Sequence, residues 1–230
     1  RLMINIIKSQ ADPDPLRICK ENTQNKEDKT CNYTYLRDPE KENYKKALLR
    51  EQYYLCAYCN KRLDEYEDEN KLHYLKIEHW YPQKLCKQEA DYNTINGKDI
   101  AHENLLLVCP GQNSNPDFRH CDSSRNNGVI LTIKPQDVNY LFNNVFRYEG
   151  GELITDNPSI HDDIKKELNL NEPNLVRRRN IALDQFIKQL PPKQSINKQD
   201  LLNKYSTPNK EYKKKEYCTI ILYFIANNLK

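Results

Sequence analysis

The chain has 230 residues, 37 % hydrophobic and 30 % charged, which allows one sizeable domain or two small ones with a modest core and a strongly solvated surface. With 5 Gly against 12 Pro and 16 Tyr, the composition argues against a glycine-linked string of modules. The net charge of +3 hides an asymmetry, since residues 171–230 carry 12 Lys+Arg against 5 Asp+Glu while the first 170 carry 24 against 28. A basic C-terminal third can face phosphates, and a solvated helix surface explains the same run equally well.

In chain order, residues 1–45 are expected to form an arm, because short apolar pieces alternate there with ADPDP and ENTQNKEDKT. PEKENYKKALLREQYYLCAYC predicts a helix with Tyr44, Leu48, Leu49, Tyr53 and Leu55 at helical spacing, delivering the chain to Cys56. KLHYLKIEHW reads as a strand with Leu72, Tyr74 and Ile77 toward the core, ended by Pro82. DYNTINGKDI is turn-rich, and HENLLLVC is a short apolar run that periodicity assigns to neither helix nor strand. A strand is expected over 129–133, then a hairpin in YLFNNVFRYEGGELI turning at Gly150-Gly151. PSIHDDIKKELNL reads as helical, as does NEPNLVRRRNIALDQFIKQL with Leu175, Ile181, Ala182, Phe186, Ile187 and Leu190 on one face. A helical pair follows. Its last member, CTIILYFIA, is too short to cross a bilayer and is expected to be buried. The fold class is therefore α+β, a small module over 46–135 set in a mostly helical wrap, with the hairpin and helices of 136–230 after it.

The chemistry concentrates in the middle segment. Cys56 and Cys59 form CAYC, while Cys109 and Cys121 bracket PGQNSNPDFRH, and two thiolate pairs can close one tetrahedral zinc site. CxxC alone also occurs in redox pairs, and the C-x11-C spacing leaves His120 open as a fourth ligand in place of Cys121. Four ligands leave no open position, so a zinc held there would be structural. Cys19, Cys31, Cys86 and Cys218 remain as small apolar residues. RLMINIIKSQ lacks the apolar segment of a secretory leader, so reduced thiols in the cytoplasm are expected.

Between the pairs lies KIEHWYPQ. An imidazole titrates near physiological pH, so His79 can take a proton from water. On a regular strand Glu78 points to the opposite face, whereas a bend at the strand end, before Trp80 and Pro82, could bring both to one side. A structural histidine beside an aromatic ring is the plain alternative. His79, Glu78 and Asp122 together suit metal-assisted phosphodiester cleavage.

The set CAYC, IEHWYP, ENLLLVC and HCDSSRNN resembles the HNH nuclease motif and its ββα-metal fold. The resemblance implies Glu78 and Asp122 as ligands of a catalytic Mg²⁺ or Mn²⁺, with Asp122 on a helix, and His79 as the general base. It implies Asn104 as the brace of the loop orienting that base, and Arg125, with His120, as nucleic-acid contacts. Glu for Asp at 78, Asp for Asn at 122 and the long Cys109–Cys121 insertion depart from the commoner pattern. More narrowly, IIKSQADPDPL, IEHWYPQ and ELNLNEPNLVRRRNIALDQFI are similar to the HNH subunit of Septu and retron-associated anti-phage systems (PtuB-like). That implies a DNA substrate, an ABC-type ATPase partner (PtuA-like), a possible retron reverse transcriptase with its RNA/DNA, and the bacterial cytoplasm. A zinc module that binds nucleic acid without cutting it, and an RNA-directed nuclease, are the competing expectations.

Overall fold

A computed structural model describes residues 6–24, 30–66, 68, 71–137, 145–192 and 196–229. At its centre is an antiparallel pair, β1 (Lys76–His79) and β2 (Leu105–Val108), in the register Lys76↔Val108, Ile77↔Leu107, Glu78↔Leu106 and His79↔Leu105. All four residues of β2 are buried. Its free edge is sealed by a side chain: Gln52 Nε2 donates to Leu107 O and Gln52 Oε1 accepts from Leu107 N, both at 2.7 Å. Ala57 N adds a bond to Leu107 O, so the cysteine loop docks on the same edge.

The helix that delivers the cysteines is α2 (Glu40–Glu51), buried through Tyr44, Leu48 and Leu49. It stops short of Cys56 because Tyr53 and Tyr54 take left-handed backbone, φ 54° and 61°, and turn the chain back. The expected arm is partly a helix, α1 (Asp14–Gln24), which packs on α2 and buries Leu16, Cys19 and Thr23.

Beyond the module, β3 (Arg147–Glu149) and β4 (Glu152–Ile154) form the hairpin turning at Gly150-Gly151. Gly151, at φ +84°, has no room for a Cβ, which would stand 2.8 Å from Val176 O. The early part of that expected hairpin, 140–144, lies outside the described residues. After it, α4 (Pro158–Asp162) runs into a π-turn at Asp163–Glu167, and α5 (Pro173–Lys188), α6 (Lys198–Ser206) and α7 (Cys218–Asn228) complete the order. Thr219 of α7 donates to Asn60 Oδ1 at 2.9 Å, tying the last helix to the cysteine loop. The described residues bury one continuous apolar core from Ile6 to Ile225 across all three expected segments. No helix among them is long and apolar enough to cross a membrane.

Three local expectations are corrected. Leu72–Tyr74 is a 3-10 turn, with Tyr74 55 % exposed, so the strand begins only at Lys76. Residues 129–133 form no strand, because side chains satisfy their backbone: Ile133 N donates to Asp163, Ile133 O accepts from Trp80, and Val129 O from Arg125. On α5 the buried face is Leu175, Arg179 and Phe186, while Ile181 and Ile187 are exposed. Arg179 is buried because its guanidinium holds Gly151 O and Leu170 O.

Candidate functional site

Cys56, Cys59, Cys109 and Cys121 are buried, with all four sulfurs within 4.8 Å of one another. The pairs Cys56–Cys121, Cys59–Cys109 and Cys109–Cys121 stand 3.8 Å apart. That is far beyond a disulfide, and it matches the edge of a tetrahedron whose metal–sulfur bonds are about 2.3 Å, about 3.8 Å. The four cysteines can therefore hold a metal such as zinc. Electrostatics agree: burial opposes ionisation of Cys56, yet hydrogen bonds from the other three thiols bring it well below its usual range, while burial and those neighbours push Cys121 well above. Thiols so packed cannot all ionise without a cation among them. Cys121, not His120, completes the tetrad; His120 flanks it, with Nε2 3.7 Å from Cys109 Sγ.

The tetrad fixes what stands next to it. Cys121 has left-handed backbone, φ 55°, and opens a 3-10 turn, Cys121–Ser123, that carries Asp122. Asp122 meets β1: Glu78, His79, Asp122 and Arg125, with Tyr33 and Asn127, line one cavity of about 310 Å³. β1 ends at His79, and the two side chains expected on opposite faces border the same space. The helix expected to carry Asp122 is absent; Ser-Ser-Arg-Asn-Asn is a poor helix former, and the 3-10 turn gives way at Ser124.

Each charge here has a partner. Arg125 Nη1 bonds Glu78 Oε1, and the guanidinium also donates to His79 O at 2.8 Å, Trp80 O at 2.7 Å and Val129 O at 2.8 Å. Its side chain is 4 % exposed, so Arg125 braces the site instead of projecting toward a phosphate. Lys76 Nζ lies 2.9 Å from Asp122 Oδ2. Burial and the hydrogen-bonded Asp122 push Glu78 up to about 8 against the pull of Arg125. Burial works the same way on Asp122, but Glu78 and Lys76 hold it below its ordinary value.

His79 is 7 % exposed, with Nε2 2.9 Å from the carbonyl of Asp99 and the Tyr33 ring edge-on at 4.6 Å. A carbonyl only accepts, so Nε2 carries the proton and Nδ1 is the basic nitrogen. Asp99 is fully buried; its Oδ2 accepts from Tyr33 N at 2.7 Å, and its Oδ1 lies 3.4 Å from His79 Nε2. Asn104 stands outside the cavity and holds this loop. Its Oδ1 accepts from Tyr81 N at 2.6 Å, and its Nδ2 donates to Tyr81 O at 3.1 Å and Lys98 O at 2.9 Å.

Scanned against models of known protein families, the chain matches none, and no curated protein is significantly similar to it. The site therefore speaks through its own geometry.

Sequence reasoning did not single out Asp99, Tyr33 or Lys76. Tyr33 and Asp99 come from loops with no spacing relation to IEHW. Lys76 carried a readable signal, standing two residues before Glu78 and so on the same face of β1.

Proposed function

We propose that this chain is a metal-dependent endonuclease of the HNH type that hydrolyses DNA phosphodiester bonds, its hairpin clamped by a structural zinc. The observation that carries the reading is a single cavity bordered by an imidazole and two carboxylates, one of them adjoining a tetrad cysteine. The donor set fits a hard divalent ion: Glu78 and Asp122 offer carboxylate oxygens in an open polar pocket, suited to Mg²⁺ or Mn²⁺. Such an ion would supply charge stabilisation to the phosphate and the departing oxygen.

The protein's own residues supply the rest. His79 Nδ1 accepts a proton from a water in the cavity, and the imidazolium that forms is stabilised by the Asp99 carboxylate and carbonyl behind Nε2. Asn104 keeps Asp99 in place through the 81–98 loop. Arg125 holds Glu78 against its own burial and ties the ends of both segments together.

The larger setting rests on the sequence resemblance: an effector subunit of an anti-phage complex, gated by an ABC-type ATPase. A modest net charge fits gating, because tight unaided DNA binding needs stronger basic character. The test is plasmid nicking with Mg²⁺ or Mn²⁺, with and without the ATPase subunit, beside a His79→Ala protein of equal zinc content. Loss of about 10²–10⁴ in rate is expected of the variant. Binding without nicking under every condition favours a zinc-containing binding module, and preference for structured RNA over duplex and single-stranded DNA redirects the substrate.

A further inference from the structure

A second groove, of about 600 Å³, adjoins the first through Asp122 and is lined by Lys76, Gln112, Asn113, Arg119 and Ser123. Among these residues Asp122 is the acid, and Lys76 already satisfies it. The two carboxylates of the catalytic cavity are thus matched by two internal cations, Arg125 on Glu78 and Lys76 on Asp122. The cations are not equivalent. Arg125 is 4 % exposed and fixed by three carbonyls, whereas Lys76 is 33 % exposed on a flexible stem, held by Asp122 and by Ser123 Oγ at 3.0 Å.

We infer that Lys76 is a displaceable counter-ion, which neutralises Asp122 until a divalent cation takes that carboxylate and then binds a strand phosphate in the adjoining groove. The inference rests on the nuclease reading and adds an order to it. A divalent ion meets a site already charge-balanced, so it binds weakly alone and tightly when a polynucleotide draws Lys76 away. Arg119 and the amides of Gln112 and Asn113 extend the polar lining along which the strand runs. By linkage, the metal tightens the strand as much as the strand tightens the metal.

The experiment measures Mn²⁺ affinity by electron paramagnetic resonance on zinc-loaded protein, with and without a nuclease-resistant phosphorothioate duplex. In the wild type, duplex tightens Mn²⁺ about tenfold, and Mn²⁺ tightens duplex by the same factor. In Lys76→Met, Mn²⁺ alone binds about tenfold tighter than in the wild type, the coupling falls toward one, and the salt slope of duplex binding drops by about one. Lys76→Gln, which keeps a polar tip for Ser123, is measured in parallel, and zinc content and melting temperature verify both folds. Equal or weaker Mn²⁺ binding in both variants, or unchanged coupling, overturns the role of Lys76 while leaving the nuclease reading intact. Mn²⁺ affinity that ignores Asp122→Asn overturns both.

Discussion

Replacing Asn104 by Ala tests whether the loop behind His79 is held by this one side chain. Asn104 is 5 % exposed and makes three bonds of 2.6–3.1 Å, to Tyr81 N, Tyr81 O and Lys98 O. Its removal leaves Tyr81 N without its acceptor, while Lys98 O keeps Ala101 N at 3.4 Å and Tyr81 O keeps the Cys86 thiol at 3.6 Å. At about 1 kcal/mol net per bond, and more for a group left buried and unpaired, the loss is about 3 kcal/mol. Asn104→Asp is the sharper variant. It keeps the acceptor for Tyr81 N but turns an anion toward two carbonyls, so it destabilises at neutral pH at least as much as Ala does. Urea denaturation at saturating zinc measures both, and nicking rates fall with them as Asp99 loses its support. An Asn104→Asp protein within about 0.5 kcal/mol of the wild type, a margin typical of harmless surface changes, refutes the bracing role.

Asp122→Asn leaves zinc content intact and lowers nicking by about 10²–10³, the scale of losing one electrostatic contact to the reacting group, as read by single-turnover kinetics. Cys59→Ser removes one of four thiolates and costs about 3 kcal/mol, a quarter of the lower part of the range for a structural zinc; thermal melting with added zinc reads it. Glu51 is half-buried between Lys8 Nζ at 2.7 Å and His102 Nε2 at 2.8 Å. Burial opposes its ionisation, but His102 and Lys8 hold its carboxyl below the ordinary value. It therefore adds stability that is present above its unfolded pKa of about 4.3 and is lost as pH falls through the lower folded value. Glu51→Gln accordingly costs about 3 kcal/mol at pH 7, and its gap from the wild type closes below about pH 4 in parallel denaturation curves.

Much of the site is legible in the sequence because its chemistry is written in short spacings. CAYC, the Glu78-His79 pair and the Cys121-Asp122 step each place two functional groups one to three residues apart, and four thiols with one plausible ion impose the long-range closure. What escapes are contacts that no periodicity encodes. Asp99 reaches His79 through a loop whose shape depends on Asn104, and Tyr33 arrives from the segment read as an arm. The strand expected over 129–133 fails for a related reason. Arg125, Trp80 and Asp163 satisfy that backbone from the side, so hydrophobic pattern alone overstates regular structure there. The helical wrap fared better, and its one misplaced face turns on Arg179, an arginine that buries itself on two carbonyls.

Everything in this account depends on the sulfur tetrad holding β1 against the turn that carries Asp122. Elemental analysis of the purified chain, followed by cobalt substitution, tests that link most directly. One zinc per chain is expected, with a tetrahedral thiolate spectrum on exchange and four thiols that resist modification until a chelator is added. A chain that folds without metal, with those four thiols freely reactive, contradicts it.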